Sequence, residues 1–173
     1  MSSAALDMPT SIIEIIAFHE AGHAVVALKL GIGLRSVGIR PDQGNGYCRD
    51  KLRNRILNGE TMSDGDWTWA RQKAFILLSG DAAERVYNLE QCDLPFCLQD
   101  DEIELNELCC SAFGDLGPKA SRWIKECRDE TDRIVEANWK GICSLAELLL
   151  LNNHLSGQEA ERAIRDRHSI DWR

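Results

Sequence analysis

With 173 residues, 44% apolar and 28% charged, the chain has the composition of one globular domain and too little length for two ordinary ones. Its net charge of −8 argues against nucleic acid as a partner, because a phosphate-binding face needs clustered Lys and Arg. No run of about 18 apolar residues occurs, and residues 1–7 lack a basic stretch followed by an apolar one. A membrane span and a secretory signal are therefore not expected, and the expected compartment is cytoplasmic.

In chain order, residues 1–9 read as a flexible N-terminal tail ending at Pro9, followed by a single domain over 10–173. Thr10 or Ser11 can cap a first helix, with Glu14 in capping-box position relative to Ser11, and Gly31 can close it. Val37 and Ile39 alternate within a short strand over 34–40. The turn-forming run Pro41-Asp42-Gln43-Gly44-Asn45-Gly46 leads into a returning edge strand over 47–49. A polar loop occupies 50–66. A second helix is predicted over 67–87, with Ala70, Ala74, Leu77 or Leu78, and Ala82 on one face. A loop containing Pro95 precedes a third helix over 101–113. Two more helices follow, over 119–151 with a break near Gly141 and over 157–167. The expected fold is mainly α with a small β-sheet, an α+β class, divided into a first part at 10–115 and C-terminal helices at 119–167.

The first helix carries the chemistry. His19 and His23 flank Glu20 in the pattern H-E-x-x-H. Residues four apart on a helix share a face, so both imidazoles can reach one metal ion. Glu20 sits beside that ion without having to bind it, placed to take a proton from an attacking water. The run from Ile12 to Leu28 is otherwise strongly apolar, and a charged Glu there is costly unless it is paired or near a metal.

Catalytic zinc takes three protein ligands and keeps one position open. The extended metzincin pattern would require Gly and His where Val26 and Lys29 stand, and is excluded. His154 and His168 lie in polar C-terminal sequence and read as surface residues. A carboxylate is expected instead. Asp101 shares its helix face with the apolar Leu105, Leu108, Cys109 and Ala112, whereas Asp100 falls in line with Glu104 and Glu107. Asp in a first helical turn is favoured anyway by capping and by the helix dipole, so Asp81 and Glu84 compete with Asp101 for the role. Seven cysteines occur without any C-x-x-C pair. They read as free thiols, with Cys109, Cys110, Cys127 and Cys143 as small apolar helix residues, and Cys92 and Cys97 flanking Pro95 in a loop.

Four stretches, in order, resemble the peptidase domain of the FtsH family, the zinc metalloproteases of peptidase family M41. They are the zinc helix Phe18-His19-Glu20-Ala21-Gly22-His23-Ala24-Val25-Val26-Ala27, the strand Ser36-Val37-Gly38-Ile39-Arg40-Pro41 with Gly46-Tyr47, the segment Leu77-Leu78-Ser79-Gly80-Asp81-Ala82-Ala83-Glu84, and a C-terminal pair, Ser144-Leu145-Ala146-Glu147-Leu148-Leu149 with Leu155-Ser156-Gly157-Gln158-Glu159. The resemblance implies zinc as cofactor, with His19, His23 and Asp101 as ligands and a one-residue slip to Asp100 left open. It implies Glu20 as the catalytic base and a substrate cleft along Gly46, Tyr47 and Cys48. Family members carry an ATPase module and a membrane anchor, and this chain has no P-loop G-x-x-x-x-G-K-[ST]. The expectation is a stand-alone zinc metalloendopeptidase acting on unfolded polypeptide, with a separate ATPase or adaptor and a homo-oligomer among the partners to be considered. The alternative is a catalytically silent, zinc-stabilised binding or regulatory module of the same fold.

Overall fold

The structure, a computed structural model, describes residues 10–87 and 99–167. The N-terminal tail, the Cys92–Cys97 loop, His168 and the Thr10 and Ser11 cap side chains lie outside the described residues. The elements in order are α1 (Thr10–Lys29), β1 (Leu34–Arg40), β2 (Asn45–Asp50), α2 (Asp64–Tyr87), α3 (Gln99–Phe113), α4 (Pro118–Ala137), α5 (Trp139–Asn152), β3 (His154–Ser156) and α6 (Gly157–Arg167). The chain is mainly α with one small antiparallel sheet, as its sequence pattern predicts.

Helix α1 is apolar on nearly every side, which suits a helix surrounded by the rest of the fold. Every residue from Ile15 to Ala27 is buried. It packs against α2, α5 and the sheet. Gly31, at φ 72°, closes it in a Schellman arrangement, with Ile32 N–H donating to Ala27 O and Gly31 N–H donating to Leu28 O, both at 3.0 Å. The expected C-cap is thus present.

Helix α2 begins three residues earlier than its apolar pattern suggests. Ser63 and Asp66 form a reciprocal cap: Ser63 N–H donates to Asp66 Oδ2 at 3.1 Å and Asp66 N–H donates to Ser63 Oγ at 3.2 Å. The Asp64-Gly65-Asp66 run, read from its composition as loop, is the first turn of a helix. The break in the C-terminal helices falls at Asn138 rather than near Gly141. There the Asn138 side chain donates to Ile134 O at 2.7 Å and its backbone N–H turns back on Ile134 O and Val135 O. Gly141 is buried inside α5.

The sheet has the order β2-β1-β3. Val37 faces Cys48 and Leu155, and Gly38 faces Tyr47 and His154. Strand β3, three residues long, carries no periodic signature of its own. One buried cluster extends from Ile16 to Ile164 and includes Leu105, Leu108 and Cys109 of α3, the face predicted to turn inward. Trp67, Phe113 and Trp123 join α2, α3 and α4 through ring contacts of 5.2 to 6.4 Å between centroids. That aromatic junction fixes one end of α3, while its other end brings Asp101 to α1. Among the cysteines expected to be buried, Cys109 and Cys127 are, whereas Cys110 is exposed and Cys143 half-buried. Position 110 lies one residue round the helix from the core face, and the doublet cannot bury both side chains.

Candidate metal centre

His19, Glu20 and His23 are buried to within 7% of full occlusion. Two acceptors on α2 orient the rings. His19 Nδ1 lies 2.6 Å from Glu84 Oε1, and His23 Nδ1 lies 2.7 Å from Ile76 O. A carbonyl and a carboxylate can only accept, so each Nδ1 carries a proton and each Nε2 of the neutral rings presents a lone pair. Those two Nε2 atoms face each other at 2.8 Å. Asp101 Oδ2 completes the triangle at 3.1 Å from His19 Nε2 and 3.0 Å from His23 Nε2.

Three lone-pair atoms converging on one point repel unless a cation lies among them. His19, His23 and Asp101 form a ligand set whose donor atoms all fall within 4.8 Å of one another. Ligands at about 2.1 Å around a tetrahedral zinc stand ~3.4 Å apart, a few tenths of an ångström wider than this triangle. Charge makes the same case. Glu20, Glu84 and Asp101 are three carboxylates around two neutral imidazoles, and a divalent cation offsets most of that excess. The residues therefore fit zinc: two imidazoles and one carboxylate as ligands, and Glu84 and the Ile76 carbonyl as the groups behind them.

Without a metal, a proton takes its place. Burial lowers the His19 pKa, but its hydrogen bonds to Asp101 and Glu84 and the charge of Glu20 outweigh it and lift the group to about 10. Burial works to raise the Asp101 pKa, yet the charges and hydrogen bonds of His23 and His19 hold it well below the usual carboxylate range. Glu20 is raised, chiefly by burial, with Asp101 and Glu84 pushing the same way. It has no hydrogen-bond partner among the described residues.

Two glycines make room for these groups. A Cβ on Gly80 would collide with the His19 ring, and one on Gly46 would stand 2.5 Å from Glu20 Cγ and 2.6 Å from its Oε1. Gly80 and Glu84, one turn apart on α2, thus serve the same histidine, one by leaving space and the other by accepting its hydrogen bond. Gly46 brings the backbone of β2 against Glu20. Of the three expected substrate-binding residues, Gly46 and Cys48 alternate on the inner face of β2, while Tyr47 points outward. The Cys48 thiol is pushed well above its usual pKa by burial, then by Glu20, Asp50 and Asp101. Strand β2 pairs with β1 along one edge, and no strand among the described residues covers the other.

The remaining candidates separate clearly. Asp100 is exposed. Asp81 lies at the surface, paired with Arg85 and, at 2.7 Å, with Arg128. His154 is exposed as expected, but its Nδ1 lies 2.7 Å from the Tyr47 hydroxyl. Reading the sequence for ligands did not find Glu84 as the orienter of His19. The signal available was its spacing, four residues after Gly80 on a helix of small residues.

No family model and no curated protein matches the chain. Among the described residues, no helix is long and apolar enough to cross a membrane.

Proposed function

We propose that the protein is a zinc metallopeptidase whose site resembles that of the FtsH-type peptidase domain. The convergence of His19 Nε2, His23 Nε2 and Asp101 Oδ2 within 3.1 Å of one another carries the reading, with Glu20 beside them and against the open strand β2. His19, His23 and Asp101 hold the ion. Zinc, when bound, polarises a carbonyl and acidifies water.

The chain's own residues supply the rest. Glu20 accepts the proton of the attacking water and passes it to the departing amine, a role for which the lack of a hydrogen-bond partner among the described residues leaves it free. Glu84 and the Ile76 carbonyl hold the imidazoles in the tautomer that presents Nε2. An extended substrate adds along the free edge of β2, where main-chain hydrogen bonds bind without regard to sequence and bring a peptide bond past Gly46 to Glu20. An unfolded polypeptide offers such a strand anywhere along its length, whereas a folded protein offers one only at a sheet edge, so unfolded polypeptide is the substrate class. A separate ATPase or adaptor that delivers it, and assembly into a homo-oligomer, belong to the same proposal.

The test is Glu20→Gln. The variant binds zinc with the affinity of the wild type and loses cleavage of unfolded casein. Equal cleavage by variant and wild type refutes the role of Glu20. A wild type that is fully zinc-loaded yet leaves casein intact identifies the silent binding module instead.

A further inference from the structure

The segment that forms β1, β2 and the start of the following loop is charged against the trend of the molecule. Residues 35–55 hold Arg35, Arg40, Arg49, Lys51, Arg53 and Arg55 against only Asp42 and Asp50, a surplus of four positive charges in a chain of net charge −8. Two of these cations are organised around one ring. The guanidinium carbons of Arg40 and Arg49 lie 4.9 and 5.1 Å from the centroid of Tyr47. Tyr47 lies across Gly38, whose added Cβ would stand 2.6 Å from the phenol oxygen, and the hydroxyl reaches His154 on the far strand. The ring is a fixed platform, and the guanidiniums on it keep their stacked positions.

Both arginines are exposed, and among the described residues neither has a carboxylate within ion-pair distance, unlike Arg55, Arg85 and Arg128. The adjacent Asp50 is turned away, accepting the Leu52 N–H at 2.6 Å. Two neighbouring cations without a counter-charge among the described residues, Arg49 on the open edge strand β2 and Arg40 on β1 behind it, are arranged to receive one from outside.

We infer that the β2 edge selects polypeptide segments bearing Asp or Glu at every second position. The inference rests on strand addition at β2, as in the proposed function. A strand laid along that edge continues the pleat, so alternate side chains emerge on the face of Tyr47 and Arg49, with Cβ atoms about 5 Å from their β2 neighbours. Carboxylates there meet Arg49 and, across the tyrosine, Arg40. The intervening side chains face Gly46 and Cys48, on the side of the sheet away from Arg40 and Arg49. The edge therefore asks for acidic residues at alternate positions only. A short acidic peptide suits two unpaired guanidiniums better than a polyphosphate chain, whose continuing charges would meet the acidic remainder of the surface.

The experiment compares two short unfolded peptides, identical except for Glu or Lys at every second position. Their binding to the zinc-loaded full chain carrying Glu20→Gln is followed by fluorescence anisotropy. The Glu peptide binds about tenfold more tightly at low salt, as expected for two exposed ion pairs exchanged for two repulsions, and the advantage shrinks at high salt. Adding Arg40→Glu and Arg49→Glu together inverts the order, an outcome that a misfolded protein could not produce because it would lose both peptides. Equal or absent binding, an order unchanged by the double reversal, or tighter binding of a single-stranded oligonucleotide overturns the inference. Cleavage by the wild type separates the two ideas. Acid-selective binding without cleavage rejects hydrolysis alone, and cleavage without selectivity rejects the acidic preference alone.

Discussion

Gly80→Ala turns the packing of α1 on α2 into a measurable quantity. A methyl carbon at position 80 would stand 2.6 Å from His19 Nε2 and 2.7 Å from its Nδ1. Ordinary contacts between such atoms begin at about 3.5 Å, so the ring must retreat by roughly 1 Å. It cannot do so while keeping the 2.6 Å hydrogen bond to Glu84 and the 2.8 Å approach to His23. Overpacking of this kind costs about 1–3 kcal/mol, against which the better helix propensity of Ala returns about 1 kcal/mol. The net loss of ~0–2 kcal/mol lowers the melting temperature by up to about 8 °C at this chain length. Zinc affinity, which depends on how the ring is held, falls about 10- to 100-fold.

Gly65→Ala, on the same helix, is the control. Its nearest neighbours, Ser63 Oγ and Arg55 Nη1, lie 3.7 and 4.0 Å away. Only the propensity gain of up to about 1 kcal/mol remains there, so this variant melts up to ~4 °C higher with zinc affinity unchanged. Calorimetry and competition with a chromophoric chelator measure both quantities. If Gly80→Ala also gains stability and keeps its zinc affinity, the close approach of α2 to His19 is refuted.

Asp101→Ala should abolish tight zinc binding, whereas Asp100→Ala leaves it unchanged; the reverse pattern in metal analysis would move the third ligand by one residue. In metal-free protein the folded His19 pKa of about 10 lies above the ordinary 6.5, so the stability from its ion pairs is fully present below pH 6.5 and is lost as pH rises through 10. Melting of the chelated protein should therefore decline steadily across that window, and zinc added at pH 8 should release a proton from His19, visible as a buffer-dependent heat of binding. A flat profile and a buffer-independent heat would contradict the geometry around His19. Ser63→Ala removes the cap of α2 and should cost about 1 kcal/mol in urea denaturation without altering zinc affinity, and an unchanged midpoint would count against the cap.

The elements with strong local signals could be read from the sequence, and those defined by partners could not. The apolar run and Gly31 define α1, and the face shared by Leu105, Leu108 and Cys109 orients α3 well enough to turn Asp101 inward. His19 and His23 announce themselves because their relation is one helical turn. Glu84 and Ile76 act through distances of 2.6 and 2.7 Å across 65 and 53 residues, and no short-range periodicity encodes those contacts. The start of α2 was hidden by Gly65 and two aspartates, which suit a loop by composition and a capped first turn by position. Asn138 ends α4 through its own side chain, a stronger stop than the buried Gly141 that follows.

Strand β3 has a consequence for the order in which the molecule is built. Its partners Ser36–Ser156, Val37–Leu155 and Gly38–His154 are more than a hundred positions apart in sequence, a separation that makes sheet closure slow relative to helix formation. The candidate metal ligands at 19, 23 and 101 all precede it in the chain. During synthesis, the nascent protein can therefore bring these three residues together while the seven-residue strand β1 still has a bare edge. Unpaired edges invite pairing with other chains. Three residues made late thus replace the seven-residue border of β1 with the three-residue border of β3, and they leave β2, with Gly46 against Glu20, as the longer border of the sheet.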